Sequence, residues 1–274
     1  MVSIVAPNHI HFPAAKRFLE AGIHVICDKP LASTVAEAEE LVALAKKTGK
    51  VFVVTYAYTG YPMVRQARAM VANGHLGDIR LVHAEYPQDW LTERIEASGQ
   101  KQAAWRTDPT KSGAGGCVGD IGTHAYHLAC FVTGLELDQL LAQLSTFVEG
   151  RLLDDDVQIL LKWKGGAKGM LWASQVAVGN QNGLRLRVYG TKGGLEWTQA
   201  DPNYLWFAPY GQRKQLLTRG GAGTWAEAGR VTRVLRVTPR ATSKASPRSM
   251  PRRRVPYAPH RWARNPIRRS TSRP

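Results

Sequence analysis

Through the first sixty residues, short apolar runs alternate with stretches whose apolar residues recur every three or four positions. Val2–Ala6 is an apolar run that ends in the turn signal Pro7-Asn8. Phe12 to Ala21 reads as a helix closed by Gly22, and His24–Cys27 as a second strand stopped at Lys29-Pro30. Thr34 and Glu37 have the spacing of a capping box. Behind them Val35, Ala38, Leu41, Val42 and Ala45 form a helical stripe up to Gly49. Val51–Thr55 is a third strand. The order β-α-β-α-β, with β-branched strands, predicts a parallel, doubly wound sheet.

A further helix, Met63 to Ala72, ends near Gly74, and there the period changes from helical to alternating. Ile79–Tyr86, Gln139–Glu149, Val157–Lys164, Lys168–Val178, Leu184–Tyr189, Gly194–Thr198 and Tyr204–Pro209 read as strands. Lys164-Gly165-Gly166 and Thr191-Lys192-Gly193 supply turns between them. In Leu184-Arg185-Leu186-Arg187-Val188 apolar residues alternate with arginines, so one face is buried and one is wet. One strong helix, Asp120 to Phe131, interrupts the strands. The second part is therefore predicted to be an α+β domain with a largely antiparallel sheet. From Gly229 the pattern dissolves into Arg, Pro and Ser, and that stretch is expected to be disordered.

At 274 residues, 44% apolar and 21% charged, the composition is ordinary for a globular chain of one large or two moderate domains. No apolar run approaches the roughly 18 residues needed to cross a bilayer, and no membrane partner is expected. Met1–Ala6 lacks the basic start of a secretory signal. The formal charge of +16 raises nucleic acid as a partner, so its distribution matters. Fourteen of the 37 Lys and Arg lie from Arg230 onward, where there is no acid; the rest of the chain holds 23 against 21 acidic residues. Basicity belongs to the tail alone. Its arginines sit among prolines without interleaved stacking aromatics, which speaks against nucleic-acid recognition. Three cysteines, Cys27, Cys117 and Cys130, have no C-x-x-C spacing and point to a reducing cytoplasm.

Two short motifs offer chemistry. Lys29 stands at the carboxyl end of a predicted parallel strand, the edge where doubly wound sheets bind ligands. An ammonium there can stabilise a developing alkoxide; a plain loop lysine before a strand-ending proline would look the same. If Asp120 opens a helix, Asp120, His124 and His127 share one face. A carboxylate beside an imidazole can orient it and raise its basicity, which makes His124 a candidate general base. The same three residues could be a helix cap with packed histidines, or an Asp/His/His metal face. No further ligand cluster accompanies them, and no metal is expected. Trp105-Arg106 offers a pocket wall and a phosphate-pairing cation, or merely a loop with a packed aromatic. Asp154-Asp155-Asp156 reads as a solvated turn. The glycine-rich stretch 113–119 follows no strand of a βαβ unit, so it is not a dinucleotide fingerprint.

Taken in order, Ala6-Pro7-Asn8-His9-Ile10-His11, Cys27-Asp28-Lys29-Pro30-Leu31, Trp105-Arg106 and the stretch Ser112 to His127 resemble the Gfo/Idh/MocA oxidoreductases. These are relatives of glucose–fructose oxidoreductase and inositol 2-dehydrogenase. The likeness runs from Met1 to about Gly223. It implies an α/β plus α+β architecture. A partial Rossmann-like, dinucleotide-binding sheet (1–60) precedes a mostly antiparallel open-sheet domain for substrate and oligomerisation (61–228), then the basic tail (229–274). It implies hydride transfer between a sugar or polyol hydroxyl carbon and NAD or NADP, in a homo-oligomer formed through the open sheet.

By the same resemblance, Lys29 falls on the lysine of the family's Glu-Lys-Pro element, with Asp28 in place of the Glu. Asp120 and His124 fall on its Asp-x-x-x-His pair, and His127 on a position that faces substrate. Pro7, Asn8, His11, Asp28, Lys29, Trp105 and Arg106 are expected beside the cofactor, and Lys29, His124 and His127 beside the substrate. His124, oriented by Asp120, would take the hydroxyl proton while Lys29 stabilises the alkoxide. Two departures stand out. No G-x-G-x-x-G precedes Val2, so about two β-α units, roughly 60 residues, are expected to be missing. The acid-free tail reads as an aberrant C-terminus. The alternative to a dehydrogenase is a non-catalytic sugar-binding or dimerisation module on the same fold.

Overall fold

Three strands, β1 (Val2–Ile4), β2 (Val25–Cys27) and β3 (Phe52–Val54), pair in parallel in that order in the computed structural model, which describes residues 1–233. Their crossovers are α1 (Asn8–Glu20) and α2 (Val35–Thr48). The capping box forms at α2: Thr34 Oγ1 accepts from Glu37 N at 3.2 Å, and Glu37 Oε2 accepts from Thr34 N at 3.1 Å. Gly49 ends the helix at φ 63°, a left-handed conformation that costs glycine no Cβ clash. Helix α1 starts at Asn8, ahead of the Phe12 start that the sequence suggested, and Pro13 lies inside it on the exposed side. Leu19 and Leu41 are fully buried between helices and sheet, with Val25 and Cys27 beneath them. Each large aliphatic side chain so buried contributes about 1.5–3 kcal/mol.

The second sheet has eight strands: β4 (Ile79–Pro87), β5 (Leu137–Ser145), β6 (Asp156–Trp163), β7 (Lys168–Ser174), β8 (Arg185–Gly190), β9 (Gly193–Thr198), β10 (Tyr204–Pro209) and β11 (Gln215–Thr218). Their order is β11-β10-β9-β8-β4-β7-β6-β5, antiparallel throughout except for the β4–β7 pair. The α-helices of this part are α3 (Pro62–Ala72), α6 (Thr123–Thr133) and three short ones, α4 (Lys101–Arg106), α5 (Pro109–Ser112) and α7 (Ala226–Gly229). Helices α3 and α6 bury Met63, Ala67, Leu128 and Val132 against Val82, Leu171, Leu186 and Val188 on one face of the sheet. The opposite face carries no helix among the described residues.

The structure corrects several expectations. Strand β5 ends at Ser145, because Phe147 N and Val148 N turn to the Asp155 carboxylate at 2.8 and 3.1 Å. Strand β7 stops at Ser174 rather than Val178. Strand β11 and helices α4 and α5 are too short to carry a readable period. Asp154, Asp155 and Asp156 are buried, not solvated, at 7%, 0% and 6% exposure. Asp120 does not open a helix; it lies within a π turn, Val118–Gly122, that runs into α6. Of the basic tail expected over 229–274, residues 234–274 lie outside the described residues.

Candidate active site

Lys29 leaves the carboxyl end of β2 and turns toward the second sheet. Its turn is fixed by Asp28, whose Oδ1 accepts from Lys29 N at 2.8 Å and from Thr55 Oγ1, just past β3, at 2.7 Å. The peptide Lys29-Pro30 is cis. Behind it His11, fully buried, sets Nδ1 2.7 Å from Pro30 O and Nε2 2.9 Å from Ala6 O. Asn8, also buried, donates to Ser112 O at 2.9 Å and so ties the end of the parallel sheet to α5. Both side chains are therefore spent inside the protein. They brace the strand ends, His11 through both ring nitrogens and Asn8 through its amide N–H.

Asp120 meets Lys29 across the gap. Lys29 Nζ donates to Asp120 Oδ1 and to Asp120 O, each at 2.5 Å. On the other carboxylate oxygen, Arg106 Nε lies 3.3 Å away and Gln175 Nε2 donates at 3.0 Å. Burial alone would raise the Asp120 carboxyl, but the Lys29 and Arg106 charges outweigh it and hold the group below the ordinary carboxylate range. Arg106 also stacks over the Trp105 ring, 4.1 Å from its centroid. The π turn is held from beneath by Asp154: its carboxylate accepts from Gly116 N at 2.6 Å, Val118 N at 2.8 Å and Cys117 Sγ at 3.1 Å.

His124, the next turn along, is framed by aromatic rings rather than by an acid. Tyr58, Tyr56 and Tyr86 stand edge-on to it at 4.9, 5.6 and 6.3 Å between centroids. Its Nδ1 is buried with no hydrogen-bond partner. Burial, and then the Lys29 charge, push its pKa down to about 3, so the imidazole is neutral at physiological pH. The expected orientation of His124 by Asp120 is absent, since the Asp120 oxygens go to Lys29, Arg106 and Gln175. His127 faces elsewhere again. It stacks on Tyr56 at 3.9 Å and lies near Phe131 at 6.3 Å, and burial brings its pKa down to about 4. Asp120, His124 and His127 thus do not converge as a metal face, and no group of three such ligands occurs among the described residues.

Apart from Trp90, which the sequence offers as a residue able to shape the pocket, the polar wall around this cluster went unread in the sequence. Tyr58 OH and Tyr86 OH are hydrogen-bonded, and Tyr86 OH donates to Asn182 Oδ1 at 2.6 Å. Gln88 Nε2 donates to the same oxygen at 3.0 Å, and Trp90 Nε1 to Gln88 Oε1 at 3.0 Å. The one sequence signal for it was the pair Tyr56 and Tyr58, placed past a strand at the ligand-binding edge.

Residues 1–56 match the family described as "Oxidoreductase family, NAD-binding Rossmann fold", and residues 64–196 the "GFO/IDH/MocA C-terminal domain". The Bacillus subtilis oxidoreductase YfiI is 39% identical over 226 residues, covering 80% of this chain and 56% of that protein. An oxidoreductase structure from Sinorhizobium meliloti is 56% identical with a TM-score of 0.78, covering 87% of this chain and 62% of that one. An inositol dehydrogenase homologue from Azotobacter vinelandii, solved with NADH and myo-inositol, is 36% identical with a TM-score of 0.82, over 89% and 62% of the two chains. The chain spans a little over half the length of these relatives.

Proposed function

The chain belongs to the GFO/IDH/MocA oxidoreductase family, and we propose that it transfers a hydride from the hydroxyl carbon of a sugar or polyol to NAD or NADP. The observation that carries this reading is the meeting of Lys29 with Asp120 at the carboxyl edge of a parallel sheet, beside a neutral buried imidazole. In this reading residues 1–60 serve the dinucleotide and 61–228 the substrate.

A dinucleotide fits here at its nicotinamide end. The carboxyl edge of β1–β3 carries Asp28 and Lys29, faced by Arg106 on its Trp105 platform and by the unpartnered Nδ1 of His124. Pro7, Asn8 and His11 would contribute through the backbone turn they brace. Among the described residues no glycine-rich turn leads from a parallel strand into a helix, so these residues offer no pyrophosphate cradle of that kind. When bound, the nicotinamide ring supplies the hydride acceptor.

The protein's own groups do the rest. The Lys29 ammonium, steadied by Asp120, donates to the substrate oxygen and stabilises the charge that develops there. Neutral His124 accepts the hydroxyl proton on a ring nitrogen. The neighbouring Lys29 charge opposes a lasting imidazolium, so His124 passes the proton on to solvent. The wall formed by Tyr58, Tyr86, Asn182, Gln88 and Trp90 suits a ligand bearing several hydroxyls. We assign His127 to packing against Tyr56, at the edge of the pocket.

Association through the open sheet belongs to the same proposal. One row across that face runs Leu141, Leu160, Met170, His83, Arg187, Glu196, Trp206 and Leu216 in register, with Leu141 and Leu160 71% and 62% exposed. Apolar residues left bare on a sheet face are suited to a second copy. Cys27, Cys117 and Cys130 are all free thiols, which supports the reducing cytoplasm as the compartment. No helix among the described residues is long and apolar enough to cross a membrane.

The test is to titrate the chain with NAD+ and NADP+ and follow nicotinamide reduction with a polyol panel led by myo-inositol. Binding with reduction, lost in Lys29→Ala, is the expected result. Polyol binding with no dinucleotide binding would overturn it in favour of a non-catalytic module.

A further inference from the structure

Asp120 is the hinge of the cluster, and what decides where its carboxylate points is a residue outside both sequence motifs. Lys29 occupies Oδ1; on Oδ2, Gln175 donates at 3.0 Å and Arg106 approaches at 3.3 Å. A carboxylate held through one oxygen can still rotate about its Cβ–Cγ bond, and a donor on the second oxygen stops that rotation. Of the two donors on Oδ2, Gln175 has the firmer footing. It is 3% exposed, its N–H donates to Asp155 O at 2.8 Å, and its carbonyl accepts from Leu91 N at 3.0 Å. Asp155 is itself fully buried and accepts from Arg151 Nη1 at 3.1 Å, and Arg151 is closed off by Glu96 at 2.9 Å. Arg106, by contrast, ends a helix of six residues and keeps 24% of its side chain exposed.

The chemistry of the amide matters as much as its place. A further cation here, added to Arg106, would compete with Lys29 for the Asp120 charge, and a carboxylate would repel it. A neutral donor fixes the geometry and leaves the charge to Lys29 and Arg106. We propose that Gln175 is a positioning residue, whose amide holds the Asp120 carboxylate in the orientation from which it grips Lys29. This rests on the reading of Lys29 as the group that meets the substrate oxygen.

The titratable groups that face Asp120 are Lys29 beyond β2, Arg106 of α4, His124 of α6, Tyr58 beyond β3 and Tyr86 of β4. Gln175→Met keeps the length of the side chain and removes the donor; Gln175→Glu keeps the shape and adds a charge. With carboxyl-labelled aspartate, NMR follows Asp120 in the apo chain, and limited acylation with mass spectrometry follows the Lys29 amine. In Gln175→Met the Asp120 midpoint should rise by about one pH unit, and Lys29 should be acylated several-fold faster. In Gln175→Glu the two carboxyls should titrate as a pair, with one step above the ordinary carboxylate range. An unmoved Asp120 midpoint together with unchanged Lys29 labelling in the folded variants overturns the proposal. The parent chain gives a check that needs no variant: the Gln175 side-chain amide resonances should follow the Asp120 titration, and resonances flat through it overturn the proposal on their own. None of these readouts uses a dinucleotide or a polyol, so a chain that oxidises nothing leaves them unaffected. Turnover with an unmoved Asp120 defeats the positioning role alone.

Discussion

Lys29 Nζ donates twice to Asp120, once to the carboxylate and once to the main-chain carbonyl, each at 2.5 Å. The two residues are 91 positions apart, one just past β2 and the other in the π turn, so this contact joins the parallel strands to the turn ahead of α6. The double grip constrains both partners. The carbonyl does not titrate, so Lys29 keeps that one acceptor even when the Asp120 carboxylate is protonated.

Removing the cation should therefore do two things. Lys29→Met leaves the Asp120 carboxylate, with 14% of its side chain exposed, on Arg106 and Gln175 alone; the expected loss of stability is about 1–3 kcal/mol. Turnover, where the chain has it, should fall by orders of magnitude. Acid behaviour gives a cleaner signature. The folded Asp120 carboxyl is held below its ordinary value, so its contribution is complete above about pH 4 and is lost as pH falls further. Urea unfolding of Lys29→Met from pH 5 down to pH 3 should show a shallower decline than the parent. An equal decline would mean that Lys29 does not set the Asp120 ionisation.

His124 acts in a different window. Its folded pKa is about 3 against 6.5 for the free side chain, so between those values the unfolded chain binds the extra proton. Stability must then rise with pH across that interval, by up to about 1.4 kcal/mol per pH unit for one proton. His127, at about 4, adds a slope of the same sign. His124→Phe should flatten the dependence between pH 4 and 6.5 while leaving stability at pH 8 little changed. Denaturant midpoints measured at the two ends of that range would show it. A variant with the parental slope would mean that His124 is already charged in the folded chain.

Much of this arrangement is legible in the sequence, for physical reasons that also explain the gaps. The α2 capping box, the buried strands and the Gly49 stop are local signals read within a few residues of where they act. Lys29 and Asp120 are legible as motifs, because strand ends and helix entries have marked chemistry. Their mutual grip is not, since nothing local connects positions 29 and 120. Asp154-Asp155-Asp156 shows the limit most plainly. Three consecutive acids imply water, yet each is buried and paired: Asp154 with the 116–118 backbone, Asp155 with Arg151, and Asp156 with Trp172 Nε1 at 2.9 Å. Their partners come from three separate segments, and composition cannot reveal partners. Gln175 carries no signal of its own for the same reason.

The turn that carries Asp120 is expected to fail first at Gly116. A Cβ there would lie 2.1 Å from Asp154 O and 2.9 Å from Leu153 Cβ, and the first of these neighbours is backbone. Gly116→Ala must push the loop off the Asp154 carboxylate and strand the N–H groups of Gly116 and Val118. The expected cost is about 2–4 kcal/mol. Asp154→Asn, which keeps the side-chain shape and one of the two acceptor oxygens, should cost less. Thermal melts of the two variants give the ranking, and the opposite order would mean that the carboxylate charge, not the close approach, holds the turn.

The open face of the large sheet makes the last prediction. Leu160 sits in register between Leu141 and Met170, so three neighbouring strands present apolar side chains outward. Across the middle of the same face Glu85 pairs with Arg187 at 3.0 Å, and Arg185 pairs with Glu196. An apolar patch beside a polar, charge-paired centre is self-complementary under a two-fold axis, where patch meets patch and ion pairs supply the rim. Leu160→Lys would place a like charge on each copy at the same spot, while its exposed position leaves the monomer fold intact. Sedimentation velocity should then show the parent chain associating and Leu160→Lys shifted to a smaller species, with an unchanged circular dichroism spectrum. Identical sedimentation of the two proteins would mean that this face stays bare in solution.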